Sequence, residues 1–104
     1  MQILEKDIEQ ALVRMVNRHG GLCLKWVCPG WAGVPDRIIL LPGARIMFVE
    51  LKRPKGGKRS RLQEKWHEWL TQLGFRCVTA WSHEDVRTIK DIIETWMAEE
   101  EGAP

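Results

Sequence analysis

The chain has 104 residues, 44% of them hydrophobic, with 16 Lys and Arg against 14 Asp and Glu and a formal net charge of +2. That supplies one core and excludes a multidomain machine. No apolar run approaches the ~18 residues of a membrane span, and MQILEKDIEQ puts charges where a secretory leader needs an apolar stretch. The expected place is the cytoplasm, with no membrane partner. Cys23, Cys28 and Cys77 are odd in number and scattered, which suits reduced thiols.

From Ile3 to His19, apolar Leu4, Ile8, Leu12, Met15 and Val16 recur at helical spacing, and Gly20-Gly21 supplies a stop. Leu22 to Val27 reads as a short strand and runs into PGWAGVP, which excludes regular structure. DRIILL, from Asp36, predicts a second strand. After Pro42-Gly43, RIMFVELK predicts a third. RPKGGKRS is a basic loop. Ser60 followed by Gln63 has capping-box spacing, and Leu62, Trp66, Trp69, Leu70 and Leu73 mark the apolar face of the helix it opens. FRCVTAW reads as a fourth strand. Ser82 then opens a last helix with Val86, Ile89, Ile93, Trp96 and Met97 on its core face. The expected order is α-β-β-β-α-β-α, one domain over residues 1–98, followed by an acidic tail, 99–104, expected to be disordered.

Two segments concentrate chemistry: Gly33-Val34-Pro35-Asp36 and Glu50-Leu51-Lys52. On a strand, residues i and i+2 share a face, so Glu50 and Lys52 project together while Leu51 faces away. Asp36 joins them only if the hairpin register has the right parity. A three-residue connection, Pro42 to Ala44, pairs Leu41 with Arg45 and brings Asp36 opposite Glu50. A two-residue turn puts Val49 there instead. Pro-Gly favours a type II turn, which fits a tight hairpin poorly, so the longer loop is expected. Two carboxylates brought close repel unless a cation lies between them, and hard oxygen ligands suit Mg²⁺ or Mn²⁺. Lys52 would then stand beside the ion as a point charge. Helix 1 adds Glu5 and Glu9 on one stripe.

The set Glu9, Gly33-x-Pro35-Asp36, Glu50-x-Lys52 and Gln63, in this element order, resembles the VRR-NUC family of the PD-(D/E)xK nuclease superfamily over roughly residues 3 to 90. The resemblance implies an α/β restriction-endonuclease-like core with a mixed sheet flanked by helices, and a divalent-metal-dependent DNA endonuclease. It implies that Asp36, Glu50 and the backbone carbonyl of Leu51 bind Mg²⁺ or Mn²⁺. Lys52 serves the nucleophilic water, Glu9 is a metal-site carboxylate, and Gln63 supports the site. Stand-alone members are similar to small phage and bacterial proteins, some resembling Holliday-junction resolvases, which places the chain in a bacterial or phage-infected cell. Whether Glu5 or Glu9 takes the helix 1 role depends on a helix rotation that sequence leaves open.

Each feature also has a plainer reading. An Asp after Pro is a turn residue, E-x-K on a strand is a solvated face, and Gln63 can simply bond back to Ser60. It is the combination that points to a site. Arg53, Lys55, Lys58, Arg59 and Arg61 adjoin it with no acid among them and suit contact with DNA phosphates. Trp66, Trp69 and Trp96 fit a core or a subunit interface. Trp31 fits packing over the site, stacking on an unpaired base or touching a second subunit. His19, Cys23 and Cys28 lack zinc spacing, which favours buried thiols. One site cuts one strand, so symmetric cutting of duplex or branched DNA calls for a homodimer. The competing class is a DNA-binding module that does not cut, and a third is a non-nucleolytic interaction protein. The three glutamates 99–101 sit in the tail, and without them the +2 becomes +5, so near-neutral composition excludes no nucleic-acid partner.

Overall fold

The computed structural model describes residues 3–54 and 56–101. The elements are α1 (Glu5–Arg18), β1 (Leu22–Lys25), β2 (Arg37–Leu41), β3 (Arg45–Leu51), α2 (Arg61–Gln72), β4 (Arg76–Ala80) and α3 (His83–Glu101). The expected order is observed. The acidic run expected to begin a tail is instead the end of α3 through Glu101, while residues 102–104 lie outside the described residues. No helix among the described residues is long and apolar enough to cross a membrane.

The sheet runs β1-β2-β3-β4. The first three strands are antiparallel, and β4 is parallel to β3. A parallel neighbour needs a crossover, which α2 provides. Ile8, Leu12, Met15 and Val16 of α1 and Val86, Ile89 and Ile93 of α3 pack with Ile39, Met47, Val49 and Leu51 on one sheet face. His19 ties these two helices together. Its Nδ1 lies 2.8 Å from the Met15 carbonyl and its Nε2 2.8 Å from Glu94 Oε2. Both partners are acceptors, so only the imidazolium satisfies both, and the Glu94 hydrogen bond pushes His19 above its ordinary pKa.

The opposite face carries a smaller core of Phe48, Leu70 and Cys77 with Trp26, Ile38 and Trp66. Here the expectation for α2 needs correction. Of its predicted apolar stripe only Leu70 is buried, whereas Leu62, Trp69 and Leu73 are exposed. The physical reason is coverage: α2 packs on β4, at the opposite edge of the sheet from β1. Leu22 and Leu24 therefore stand in solvent too.

Candidate active site

Strand β3 is central and buried on both faces, so RIMFVEL is apolar almost throughout. Its alternation sends Met47, Val49 and Leu51 under α1 and α3, and Phe48 and Glu50 to the α2 face. The connection to β2 is the three-residue loop Pro42-Gly43-Ala44, with Gly43 at φ 83° and Ala44 at φ 60°. Leu41 pairs with Arg45 and Arg37 with Val49, which sets Asp36, one residue before β2, opposite Glu50. The expected parity is the observed one. Asp36 is held at both ends. Its carbonyl accepts the Trp26 N–H at 3.0 Å, and its Oδ2 accepts the Leu51 N–H at 2.7 Å.

Glu50 is 3% exposed, and its Oε2 is buried with no hydrogen-bond partner among the described residues. Burial pushes its carboxyl above the ordinary range and the Asp36 charge adds to this, while Lys52 and Arg59 oppose it. Lys52, two residues on, shares Glu50's face, and its N–H donates to the Ala80 carbonyl at 3.0 Å. Thr79, the β4 residue paired with Glu50, also has a buried hydroxyl oxygen without a partner among the described residues. A buried carboxylate oxygen and, on the paired residue, a buried hydroxyl without partners among the described residues are groups that a cation and its water would satisfy. The residues fit a divalent ion. Among the described residues no three His, Cys, Asp or Glu side chains converge to hold one unaided. An open pair is nevertheless what Mg²⁺ uses, since it takes one or two carboxylates and keeps the remaining positions for water and phosphate.

Helix α1 contributes Glu5 and Glu9 differently. The Glu5 carboxyl is raised by burial and then by the charge of Asp36, with Lys52 opposing, so Glu5 shares the electrostatic neighbourhood of the pair. Glu9 accepts the Arg37 Nε–H at 3.0 Å, and Arg37 also donates to the Cys23 carbonyl at 2.9 Å. Glu9 thus stands at the margin, in an ion pair. Gln63 forms the expected capping box: Ser60 Oγ accepts its N–H at 3.1 Å, and its Oε1 accepts the Ser60 N–H at 2.8 Å. Gly33 has a reason in packing. At φ 87° a Cβ would lie 2.9 Å from Leu62, so the loop that delivers Asp36 presses directly on α2. Trp66 fastens it by donating Nε1–H to the Ala32 carbonyl at 3.0 Å.

No family model matches the chain. A curated relative, "Putative nuclease p44" of Acyrthosiphon pisum secondary endosymbiont phage 1, is 43% identical over 76 residues, which span 73% of this chain and 81% of that protein. A solved structure described as a VRR_NUC domain superposes with a TM-score of 0.79 at 26% identity, covering 84% of this chain and 94% of that one. The chain belongs to the VRR-NUC family. The mixed sheet with three helices in the order α-β-β-β-α-β-α is the VRR-NUC fold.

Around this VRR-NUC core the basic loop divides. Arg53, Lys58 and Arg61 are exposed, and Lys55 lies outside the described residues. Arg59 is half-buried over α2, where its Nη1 donates to His67 Nδ1 at 3.4 Å and its charge reaches Glu50. Burial, and Arg59 after it, push His67 below its usual pKa. All three cysteines are free, and burial pushes the thiols of Cys23 and Cys77 to about 11, as inert core thiols behave. Trp31 meets Trp66 edge-on at 5.7 Å and is otherwise 59% exposed. Sequence reasoning passed over Thr79 and Arg37. Thr79 shares the parity of Cys77 in FRCVTAW, but its register against β3 is set by a helical crossover, which no local pattern encodes.

Proposed function

We propose that the chain is a Mg²⁺- or Mn²⁺-dependent endodeoxyribonuclease. One observation carries this reading: Asp36 lies opposite the buried Glu50, whose Oε2 has no partner among the described residues, across adjacent strands, with the Lys52 charge acting on Glu50. Asp36, Glu50 and the Leu51 carbonyl would hold the ion, with Glu5 nearer to it than Glu9. Bound there, the cation supplies Lewis-acid charge to a phosphoryl oxygen and acidifies its water. Lys52 opposes the charge that develops on the phosphate and orients the attacking water. Glu9 acts through Arg37 as a positioning group, and Gln63 holds the first turn of α2. Arg53, Lys55, Lys58, Arg59 and Arg61 seat the DNA backbone. Duplex and branched DNA both suit this arrangement, and the exposed apolar sheet face suits a second copy for paired cuts.

Supercoiled plasmid incubated with Mg²⁺ or Mn²⁺ should be nicked by the wild type, with the rate falling roughly 10²-fold or more for Lys52→Ala and Asp36→Asn. Calorimetric titration with Mn²⁺ should show the site lost in Asp36→Asn. Equal nicking by all three proteins would mean a contaminant and end the enzymatic reading in favour of a DNA-binding module.

A further inference from the structure

Seven of the ten cations outside residues 52–61 lie on α1, β1, β2 and α3. Lys6, Gln10, Arg14 and Arg18 follow one another at four-residue steps on the side of α1 away from buried Ile8, Leu12 and Met15. Lys25, at the end of the edge strand, and Arg37, its partner on β2, face them across a groove of about 590 Å³ lined also by Glu9. Beyond Arg14 a second groove of about 190 Å³, between α1 and α3, is lined by Arg14, Arg18, Arg87 and Lys90 with no acid. Three of the nearby acids are engaged: Glu9 by Arg37, Asp7 by the Leu4 N–H at 3.0 Å, and Glu94 by His19 and by Lys90 at 3.7 Å. The first groove and the carboxylate pair lie at the same end of the sheet on opposite faces, since Arg37 follows Asp36 and successive side chains point to opposite sides.

We propose that this surface is a second nucleic-acid contact, in which Lys6, Arg14, Arg18 and Lys25 bind backbone phosphates of a DNA arm leaving the carboxylate site. The proposal rests on the nuclease reading for where the DNA lies. The chemistry is charge with repetition. Lys6 to Arg18 spans about 18 Å at 1.5 Å per residue, about five base pairs of duplex. One small anion needs no such row. A membrane surface calls for exposed apolar residues interleaved with the cations, whereas here Ile3 and Leu4 are exposed only at the end before Lys6, and Ala11 and Val13 beside Arg14 are half-buried. The groove lies over α1, on the sheet face opposite α2, so it and the 53–61 loop would hold different stretches of backbone.

The test uses the full chain and the triple variant Lys6→Gln/Arg14→Gln/Lys25→Gln. Arg37 is left intact because it holds Glu9. Binding to a duplex of about 30 base pairs is followed by anisotropy without divalent metal over a range of salt; each lost phosphate contact should flatten log K against log salt by ~0.9. The expected slope change is about 2 to 3, with affinity at low salt falling tenfold or more. Lys58→Gln/Arg59→Gln should flatten it separately, and the two changes should add. A wild-type slope in the triple variant overturns the proposal. Plasmid nicking by the wild type is scored in parallel. Nicking with an unchanged slope removes the groove and leaves the nuclease reading standing, whereas a flattened slope without nicking supports the groove and removes the nuclease.

Discussion

Glu50 is a carboxylate kept in an apolar strand at a cost, since no described residue bonds its Oε2. A raised carboxyl binds its proton more tightly folded than unfolded. Stability of the metal-free protein therefore falls as pH rises from 4.5 through the raised folded value, and the deficit is complete above it. Glu50→Gln should stabilise the metal-free protein at pH 7 by on the order of 1 kcal/mol while abolishing Mn²⁺ uptake. Thermal melts with and without metal check this: Mn²⁺ should raise the melting temperature of the wild type alone, and an equal rise in the variant would remove Glu50 from the site. At this scale Asp36, Glu50 and Lys52 were legible because strand alternation has only two outcomes and the hairpin loop selects one. Glu5 and Glu9 were not distinguishable, because their difference comes from Arg37, 28 residues from Glu9, capturing one of them. No periodicity along α1 encodes a partner on β2.

Among the elements, the loop before β2 shows how packing outside the carboxylates aims them. Gly33 lets the chain lie against Leu62, and Trp66 bonds Ala32, so the segment carrying Asp36 is fastened to α2. Gly33→Ala should cost roughly 1–3 kcal/mol, from a left-handed backbone and the Leu62 contact together. It should also lower the nicking rate without removing any ligand. A melt unchanged from wild type would show that the loop yields. The capping box at Ser60 and Gln63 was readable from four letters, as a local signal should be. The exposure of Trp69 and Leu73 was not, because helical periodicity reports which residues want burial and says nothing of whether a surface waits for them.

For the whole molecule, that exposure matters most. Leu22, Leu24, Ile46, Trp69, Leu73 and Phe75 remain open on the α2 side of the sheet, linked beneath by the edge-to-face contacts of Trp66 with Trp26 and Trp69 and of Phe48 with Phe75. Exposed apolar residues on one face suit contact with a second copy of the chain. Light scattering should give a dimer for the wild type and a monomer for Leu24→Glu/Leu73→Glu; a monomeric wild type across the concentration range would leave the face without a second copy. The net charge of +2 likewise hides two cationic surfaces. One was visible as a run between residues 52 and 61. The other is spread over α1, β1 and α3 and becomes a groove only when the fold brings those elements together.

The pairing of β2 with β3 does two jobs at once. The register that turns Glu50 toward Asp36 is the same one that buries Met47, Val49 and Leu51. A slip by one residue would present the apolar set to the wrong side and forfeit the main core along with the carboxylate pair. The Pro42–Ala44 connection can therefore lengthen, with extra residues bulging into solvent, but it cannot lose one and keep both. Misalignment and unfolding become the same event. A population of this protein should contain molecules that are folded and aligned or molecules that are neither, which makes foldedness itself a proofreading step for the site.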